Sequence, residues 1–339
     1  MVGAVLVKDG RVIGEGWHRC FGGDHAEVDA LKHAKASPRG STLYINLEPC
    51  SHFGKTPPCV DALISSGIRK VVAAMPDPNP LVSGQGFSLL RRAGIKVEVG
   101  RMKSESQELN LSYLTWIKKG RPLIALKAGQ SLDGKISSRT GRSKWITGPD
   151  ARDYGRRLRF MFDAILAGIN TVLSDDPSLG YRPPVQPRSL LARKRHFKVI
   201  LDSRGRLPLS AKLWRGPSQV VVAATQAAPE SRLQALRRRG ARVLVCGQRR
   251  VDLKRLMALL RPEVGSLLVE GGAQVHGSFV DAGLIDLFYL FQAPLILGGE
   301  QARTSIAGRG FDSPAKALRL SLAAEYCLGE DHLHVYRNH

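Results

Sequence analysis

Hydrophobic and polar positions in the first 120 residues alternate between the spacing of strands and that of helices. Strand-like runs are VGAVLV and RVIGEGW, joined by a turn at Lys8-Asp9-Gly10, followed by TLYINL, KVVAAM and IKVEVG. Helical spacing occurs in HAEVDALKHA, CVDALISSG, FSLLRRAG and SESQELNLSYLTWIKKG, the last two ending at Gly94 and Gly120. The pattern predicts an α/β domain over residues 1–120 whose last helix is continuous from Ser104 to Lys119.

The same alternation starts again after Gly120-Arg121-Pro122. The strand-like runs are PLIALKAGQSLDG, FDAILAGINTVLSDDP, FKVILDS, QVVVAAT, RVLVCG, SLLVEGG and FYLFQAPLILGG, interleaved with helices such as GPDARDYGRRLRF and ESRLQALRRRG. Such an alternation predicts a largely parallel sheet covered on both faces. We therefore expect a second α/β domain at residues 121–339, with an exposed loop in the Pro- and Arg-rich stretch from Pro183 to His196.

Composition narrows the class of protein. The 339 residues are 43% hydrophobic and 24% charged. This composition is typical of globular proteins and excludes disordered, collagen-like and fibrous chains. No apolar run approaches the ~20 residues of a membrane span, and Lys8, Asp9 and Arg11 interrupt what would be the apolar core of a signal peptide. We expect a cytoplasmic protein without a membrane partner. Its five cysteines are too few for a disulfide framework, which favours thiols with a metal-binding or catalytic role.

Charge is distributed unevenly along the chain. The net charge of +22 divides into +5 for residues 1–120 and +17 for residues 121–339. A balance this basic favours phosphates or other anions as ligands of the second half. A basic surface that is merely solvated explains the same number, so charge alone does not choose between these interpretations.

Three short motifs in the first half carry candidate metal chemistry. His25-Ala26-Glu27 opens a predicted helix, and Pro49-Cys50 and Pro58-Cys59 follow a strand and a prolyl turn. Zinc nucleobase deaminases combine His-x-Glu with Pro-Cys-x-x-Cys, in which one His and two Cys bind the metal and the Glu does not. A lone His or Cys is usually structural, but the conjunction in one short domain predicts one zinc ion held by His25, Cys50 and Cys59.

The residue types suit hydrolytic deamination. Three protein ligands leave the fourth tetrahedral position for water, which zinc acidifies towards a pKa of about 7. A carboxylate two residues from the ligand His can take that proton and pass it to the departing amine, so Glu27 is the predicted catalytic residue. The helix that begins at Cys59 favours its thiolate form. His18 and Cys20 precede a Gly-Gly turn without a partner motif, and we leave them out of the ligand set.

The spacing of the two cysteines identifies a more specific resemblance. Eight residues separate Cys50 from Cys59, where nucleic-acid and free-nucleoside deaminases commonly have two. The stretches GWHRCFGGDHAEVDAL, NLEPCSHFGKTPPCVDALI and MPDPNPLVSGQG closely resemble the deaminase half of the bifunctional riboflavin-biosynthesis deaminase/reductase family. The resemblance implies a cytidine-deaminase-like fold, and a substrate pocket that includes His52 and, for the phosphate, Lys55. Lys55 alone would be a solvated charge.

The start of the chain departs from that family. The resemblance implies a helix and a segment ending in Asn-Pro before the first strand, and that asparagine contacts the substrate in the family. This chain begins at Met1-Val2-Gly3. Either the true start lies upstream, or this deaminase lacks a helix and a substrate ligand; we favour the upstream start.

The second half resembles the reductase half of the same family through LKAGQSLDGKI, SKWITG, AILAGINTVLSDDPSLGYR, VILDS and LLVEGGAQVHGSF. This implies a dihydrofolate-reductase-like α/β domain that binds NADPH. The strand and double-glycine turn in SLLVEGG are typical of a phosphate site at a helix start, whereas the absence of a GxGxxG after a strand leaves a Rossmann fold unsupported.

The resemblance implies two sets of residues in this half. NADPH would contact Gly129, Trp145, Thr171, Asp175, Ser203, Gly272, Ala273, Gln274, Val275, His276, Gly277 and Ser278. Substrate would contact Ser143, Arg159, Leu179, Arg182 and Glu270, and Lys127 is a further candidate for an anion. The family usually has Ala-Ser or Ala-Ala near position 129, where this chain has Gly129-Gln130. Asp175 is the candidate for orienting groups or handling a proton during hydride transfer.

The implied reactions are two successive steps. The first domain would hydrolyse the 2-amino group of 2,5-diamino-6-ribosylamino-4(3H)-pyrimidinone 5′-phosphate, and the second would reduce the ribosyl group to ribityl with NADPH. A homo-oligomer through the second domain is also implied. One alternative is a reductase whose first domain is only structural. Another is a polynucleotide-binding deaminase, disfavoured by 6% aromatic residues and by the long insert between the cysteines.

Overall fold

Two compact units make up the chain, Met1–Lys119 and Gly120–His339. The computed structural model describes residues 1–20, 22–80, 82–181 and 195–338. Within these ranges, no helix combines the length and the hydropathy needed to span a bilayer.

The first unit is built on a five-stranded sheet. Its strands are β1 (Gly3–Lys8), β2 (Arg11–Trp17), β3 (Thr42–Ile45), β4 (Lys70–Ala73) and β5 (Lys96–Val99), in the order β2-β1-β3-β4-β5. Strands β1 and β2 form an antiparallel hairpin because Asp9 and Gly10, both with positive φ, make the two-residue turn that matches strand twist. Strands β3, β4 and β5 are parallel. The predicted strands and their order along the chain are confirmed.

Helices cover this sheet through one apolar cluster that includes Leu6, Leu43, Leu63 and Leu90. They are α1 (Ala26–Lys32), α2 (Cys59–Ser65), α3 (Gln85–Arg92), α4 (Lys103–Leu109) and α5 (Leu111–Lys119). The prediction of one continuous helix from Ser104 was wrong, because the helix breaks at Asn110.

Asn110 is buried and leaves the helical conformation at φ −106° and ψ 17°. Its side-chain oxygen accepts a hydrogen bond from the amino group of Met1. Asparagine has a low helix propensity, and this side chain bonds outside the helix at the residue where the helix breaks.

The second unit is built on a nine-stranded sheet. Its strands are β6 (Leu123–Ser131), β7 (Ala164–Gly168), β8 (Phe197–Leu201), β9 (Gln219–Ala224), β10 (Arg242–Val245), β11 (Ser266–Val269), β12 (Leu287–Ala293), β13 (Ser321–Leu328) and β14 (Asp331–Arg337). Their order is β10-β9-β8-β7-β11-β6-β12-β14-β13, parallel from β10 to β12 and antiparallel beyond. The largely parallel sheet is confirmed, and the closing hairpin of β13 and β14 was not anticipated.

Both faces of this sheet are covered, as predicted. The helices are α6 (Pro149–Met161), α7 (Ile169–Asp175), α8 (Glu230–Arg238), α9 (Leu253–Leu260) and α10 (Ala273–Asp281), with short 3-10 turns at Lys212–Trp214 and Pro314–Lys316. Leu126 and Val199 pack on one face against Met257 and Phe279. Residues Ile165, Ile200, Leu213 and Leu236 form the core on the other face.

The loop predicted from Pro183 to His196 falls mostly outside the described residues. Arg195 is exposed, but His196 is buried and stacks on Tyr181 with ring centroids 4.1 Å apart. The prediction of an exposed loop was therefore wrong at His196. Its ring is buried against Tyr181, a residue 15 positions earlier in the chain, and hydrophobic periodicity does not reveal such a contact.

The parallel register gathers several loops at one edge of the sheet. Strands β8, β7, β11 and β6 are neighbours and all point the same way. Their carboxyl ends therefore open at the same side, where α/β sheets bind ligands.

Candidate metal centre and cofactor cavity

Three side chains of the first unit converge on one point. The ligand atoms of His25, Cys50 and Cys59 all lie within 4.8 Å of one another. His25 Nδ1 is 3.4 Å from Cys50 Sγ and 3.2 Å from Cys59 Sγ. In a tetrahedral zinc site with ordinary bond lengths, a nitrogen and a sulfur ligand are about 3.6 Å apart. The donor set and its spacing therefore fit zinc.

Local structure brings these donors together. His25 is the residue that precedes α1, and Cys59 is the first residue of α2. Cys50 follows β3 by five residues, and its Sγ accepts a hydrogen bond from the Cys59 backbone N–H at 3.3 Å. Two helix starts therefore meet at the metal position, where N–H groups without a partner inside the helix favour thiolates.

The two thiols shift each other's pKa in opposite directions. A hydrogen bond from the Cys59 thiol, together with His25, lowers the pKa of Cys50 to about 4 against the opposing effect of burial. The same hydrogen bond and burial raise the pKa of Cys59. A divalent ion bound at this point would stabilise both thiolates, since each would then face a positive charge.

Glu27 lies beside this cluster in the first turn of α1. It is 3% exposed, and burial raises the pKa of its carboxyl group to about 7. Burial outweighs the opposing effect of the neighbouring Cys59 thiol. A carboxyl with a pKa near neutrality can both accept and donate a proton at physiological pH, as a shuttle must.

Two glycines of β2 allow α1 to approach the sheet closely. A Cβ on Gly16 would lie 2.2 Å from Ala30 N and 2.4 Å from Ala26 O, and one on Gly14 would lie 2.5 Å from Ala30 O. A side chain at either position would displace the helix that carries His25 and Glu27. The strand predicted from the sequence included both glycines. Hydrophobic periodicity, however, does not reveal that the backbone of α1 packs directly against the backbone of β2.

Thr56 supports the cluster without contributing to the predicted set. Its hydroxyl is 3.4 Å from His25 Nε2, so the second ring nitrogen has a polar partner while Nδ1 faces the cysteines. Groups of this kind orient the histidine ligands of metal sites. The sequence offers a signal for Thr56 only through its place in the insert between the cysteines.

Glu48 organises the loop after β4. Its buried carboxylate accepts hydrogen bonds from the backbone N–H groups of Asp77, Gly84 and Phe87, at 3.0 to 3.2 Å. Glu48 lies only two residues before Cys50, so its hydrogen bonds to this loop also help to fix the position of the metal ligand. No motif in the sequence marked Glu48 as a candidate.

The other residues singled out in this unit lie around the cluster. His52 is partly buried, and its Nδ1 has no hydrogen-bond partner within the described residues. Lys55 is exposed, with its side chain alongside Gly22. The His18 ring meets the His25 ring edge-on at 5.3 Å, but its Nδ1 bonds to Asp24 O, and Cys20 is exposed.

The second unit contains a cavity of about 780 Å³ at the carboxyl ends of its parallel strands. Its wall is formed by the ends of β6 and β7, by α7, by the loop from β11 to α10, and by parts of residues 135–143 and 300–307. A volume of this order suits a large organic ligand.

Glycines bring backbone to the cavity wall. A Cβ on Gly168 or on Gly271 would lie 2.7 or 2.8 Å from the Val275 side chain, and Gly272 N–H donates to Thr171 Oγ1 at 3.2 Å. Helix α10 begins immediately afterwards, and the N–H groups of a first turn have no partner within the helix. This arrangement fits the phosphates of a dinucleotide.

A buried ion pair lies at one side of the cavity. Arg159 of α6 donates two hydrogen bonds to Glu270, at 2.8 and 2.6 Å, and a third to Gly180 O at 2.8 Å. Burial by itself raises the pKa of Glu270, but the charges of Arg159 and Lys127 overcome this and lower it to about 2. Burial lowers the pKa of Lys127, which lies on the cavity wall.

Comparisons with known proteins match both units. Residues 122–333 match the family model described as the RibD C-terminal domain. Residues 1–75 match the cytidine and deoxycytidylate deaminase zinc-binding region. The riboflavin biosynthesis protein RibD of Aquifex aeolicus is 41% identical over 331 residues, covering 97% of this chain and 90% of that protein. This chain belongs to the RibD family.

Other family members agree over nearly the whole length. RibD of Actinobacillus pleuropneumoniae is 39% identical over 335 residues, covering 98% of this chain and 87% of its own. A solved RibD structure from Acinetobacter baumannii aligns with a TM-score of 0.86 at 37% identity, over 100% of this chain and 92% of that one. A Thermotoga maritima structure, titled a diaminohydroxyphosphoribosylaminopyrimidine deaminase/5-amino-6-(5-phosphoribosylamino)uracil reductase, gives 0.85 at 33% identity, with the same coverage of both chains.

The predicted RibD reductase residues divide between the cavity wall and its surroundings. Eleven line the cavity: Lys127, Gly129, Ser143, Thr171, Asp175, Glu270, Gly272, Ala273, Gln274, Val275 and His276. The others that the structure describes are Trp145, Arg159, Leu179, Ser203, Gly277 and Ser278, and Arg182 lies outside the described residues.

Several of these residues contact other parts of the protein. The His276 ring is buried, with its two nitrogens 2.9 and 3.2 Å from the carbonyl oxygens of Ser305 and Val269. Trp145 is 67% exposed under the Arg152 guanidinium, and Leu179 belongs to the core despite its positive φ. Gly277 is where α10 meets Ala307, whose oxygen would be 1.9 Å from a Cβ.

The cavity also includes residues that the sequence analysis missed. They are chiefly Lys135, Asn170, Ser174, Glu300 and Arg303. The segments of Lys135 and Arg303 are joined by a hydrogen bond from Ile136 N–H to Arg303 O at 2.8 Å. Such a pairing of distant loops has no periodic signature in the chain.

Proposed function

We propose that this chain catalyses two successive steps of riboflavin biosynthesis. The unit at residues 1–120 deaminates 2,5-diamino-6-ribosylamino-4(3H)-pyrimidinone 5′-phosphate with zinc. The unit at residues 121–339 then reduces the ribosyl side chain to ribityl with NADPH. Membership of the RibD family supports both steps, and the observation that carries the first is the convergence of His25, Cys50 and Cys59 beside buried Glu27.

In the deaminase unit, His25, Cys50 and Cys59 would hold the metal. Zinc held by these residues would act as a Lewis acid and would activate water for attack on the ring carbon bearing the amino group. Glu27 accepts a proton from that water and returns it to the departing amine, which leaves as ammonia. The raised pKa of Glu27 suits both transfers, because neither protonation state is strongly disfavoured near pH 7.

The insert between the cysteines would bind the substrate. His52 has a buried ring nitrogen without a partner among the described residues, which fits a hydrogen bond to the pyrimidine. Lys55 is exposed and positively charged at the edge of the same insert, which fits the 5′-phosphate.

In the reductase unit, the cavity would hold NADPH against the sugar. The dihydronicotinamide supplies the hydride, and the protein orients it and excludes water. Gly168, Gly271 and the start of α10 would accommodate the pyrophosphate. Lys127 and Glu270 would contact the substrate from the cavity wall, and Asp175 at the end of α7 would orient groups or move a proton.

Arg159 would act through Glu270 rather than as a free phosphate ligand. Three of its N–H groups are already engaged, two by the carboxylate of Glu270. We therefore assign it the positioning of Glu270. A homo-oligomer through the reductase domain remains a prediction.

Stoichiometry tests the proposal. The zinc-loaded full chain is given the diaminopyrimidinone phosphate and NADPH, and ammonia and NADPH oxidation are measured together. We expect one ammonia released and one NADPH oxidised per substrate. NADPH oxidation with the deaminated pyrimidine but no ammonia from the diamino compound would leave only a reductase, and no turnover of either compound would overturn both assignments.

A further inference from the structure

The hairpin of β13 and β14 places four side chains with metal-binding chemistry on one face of the sheet. In its antiparallel register, Glu325 is opposite His334 and Cys327 is opposite His332. Residues two apart on a strand point to the same face, and so do directly opposite residues on neighbouring strands. These side chains therefore form a two-by-two group, here called the hairpin array: Glu325, Cys327, His332 and His334.

Distances inside the hairpin array resemble those between ligands of one ion. Glu325 Oε1 is 3.1 Å from His334 Nε2 and 3.6 Å from His332 Nδ1. Cys327 Sγ is 4.0 Å from His332 Nδ1. In a tetrahedral zinc site, a nitrogen ligand lies about 3.4 Å from an oxygen ligand and about 3.6 Å from a sulfur ligand. Neighbouring members of the array are therefore close to the spacing that a shared zinc ion requires.

The types of donor in the hairpin array select a class of cation. Imidazole and thiolate groups favour zinc and similar transition metals, whereas calcium and magnesium prefer ligands that are all oxygen. A salt bridge with a protonated histidine would account only for the contacts of Glu325. A divalent transition-metal cation would account for the contact of Cys327 with His332 as well.

The hairpin array is open and must close around an ion. Among the described residues, only the three zinc ligands of the deaminase unit have donor atoms that all lie within 4.8 Å of one another. Glu325 and His332 are each about half exposed, and Cys327 is exposed, so these side chains can rotate without disturbing the core. Ordering them costs conformational entropy. We therefore expect micromolar affinity, weaker than that of the deaminase cluster, and loss of the ion on dialysis.

The place of the hairpin array in the fold indicates what a bound ion would do. Strand β13 is an edge strand with β14 as its neighbour in the sheet, and most of its side chains are exposed. Its register with β14 also shifts between Leu322 and Ala324. A strand with few buried side chains opens easily. An ion with ligands on both strands would link β13 directly to β14.

We propose that the hairpin array is a second metal site, separate from the zinc centre of the deaminase unit. It binds Zn²⁺ or another divalent transition-metal cation with the same ligand preference, and it fastens edge strand β13 to β14. The site does not depend on the proposed function, because none of its residues lines the cavity of the reductase unit.

Calorimetric titration of the full chain with Zn²⁺ tests the site. The chain is first loaded with zinc and dialysed in a reducing buffer, so that the deaminase cluster stays filled. We expect one further zinc ion to bind per chain. H332A/H334A should weaken this binding at least tenfold and C327S at least threefold, because imidazole and thiolate ligands are lost. Unchanged binding in either variant, or no further binding to the unsubstituted chain, would overturn the proposal.

Matched controls remove similar groups that are not part of the hairpin array. Glu330 is an exposed carboxylate in the turn of the same hairpin, so E330Q should leave the affinity unchanged while E325Q weakens it at least threefold. Cys20 is an exposed thiol of the other unit, and C20S should also have no effect. Equal losses in E325Q and E330Q would reduce the binding to a general attraction between the ion and negative charge, and the proposal would be wrong.

Hydrogen exchange tests whether the ion fastens β13. Zinc added to the zinc-loaded, dialysed chain should slow exchange of the β13 amides at least threefold, and it should have no such effect in H332A/H334A. Binding without slower exchange would indicate an adventitious surface ion and overturn the structural role. Cys59→Ser, which lacks a ligand of the deaminase cluster, should keep the whole effect. Loss of the effect in Cys59→Ser would assign it to the deaminase cluster and overturn the proposal.

Discussion

Arg159 and Glu270 are 111 residues apart in the chain and form a two-pronged ion pair, with Nε to Oε1 at 2.8 Å and Nη2 to Oε2 at 2.6 Å. Both side chains are largely buried, and a third N–H of Arg159 is bonded to Gly180 O. The resemblance of the sequence to its family implies that each residue contacts the substrate. In the structure they contact one another, and this ion pair holds the Glu270 carboxylate at the cavity wall in one orientation.

Breaking this pair should cost stability, because the partner left behind is a buried and uncompensated charge. Arg159→Met is expected to lower the free energy of unfolding by about 3–5 kcal/mol, measured by urea denaturation. Arg157→Met on the same helix is the matched control, since Arg157 pairs at 2.8 Å with Asp153 in an exposed position. That control should change stability by less than about 1 kcal/mol. If both substitutions lowered the free energy of unfolding equally, burial of the Arg159–Glu270 pair would not explain the loss.

The same pair predicts a dependence of stability on pH. The folded-state pKa of Glu270 is about 2, below the ordinary value of 4.5. A lowered carboxyl pKa contributes stability that is complete above pH 4.5 and is lost as the pH falls towards 2, on the order of 3 kcal/mol in total. The stability difference between the unsubstituted chain and Glu270→Gln should therefore shrink over that interval. A difference that stays constant from pH 5 to pH 3 would contradict the assignment.

The close packing of α1 on β2 predicts a severe effect from one added methyl group. Gly16→Ala places a Cβ 2.2 Å from Ala30 N, so the helix that carries His25 must move. We expect a loss of about 1–3 kcal/mol in the free energy of unfolding and weaker retention of zinc during dialysis against a chelator. Gly3→Ala is the control, because its nearest atom would be 3.9 Å away. Unchanged zinc retention in Gly16→Ala would show that the helix can shift without moving the ligand.

Metal analysis tests the ligand set. The unsubstituted chain should contain one zinc ion, and Cys59→Ser should contain almost none, because a hydroxyl is a poor substitute for a thiolate ligand. Cys20→Ser removes an exposed thiol from the segment before α1 and should retain the metal. Zinc lost from Cys20→Ser, or kept in Cys59→Ser, would require a different set of ligands.

Features encoded by neighbouring residues could be predicted from the sequence. The hairpin at Asp9-Gly10 and the largely parallel sheet of the second unit follow from local patterns. The convergence of His25, Cys50 and Cys59 could also be predicted, because each donor lies beside a recognisable helix start or prolyl turn.

Features that depend on distant contacts could not be predicted. Asn110, where the helix breaks, contacts distant Met1, and the close approach of Gly16 to α1 depends on tertiary packing. Pairing of Arg159 with Glu270 likewise joins residues from separate elements. Hydrophobic periodicity shows which face of a helix or strand is apolar. It does not show which polar groups from distant parts of the chain will contact that element.

The order of the two reactions is tested most directly with Glu27→Gln, which keeps the metal ligands and removes the proposed proton carrier. The zinc-loaded variant is given NADPH with either the diaminopyrimidinone phosphate or its deaminated product, and NADPH oxidation is measured. We expect the deaminated compound to be reduced at the rate of the unsubstituted chain, and the diamino compound to give oxidation at least a hundredfold slower. Rapid oxidation with the diamino compound would contradict a reduction that follows deamination at Glu27.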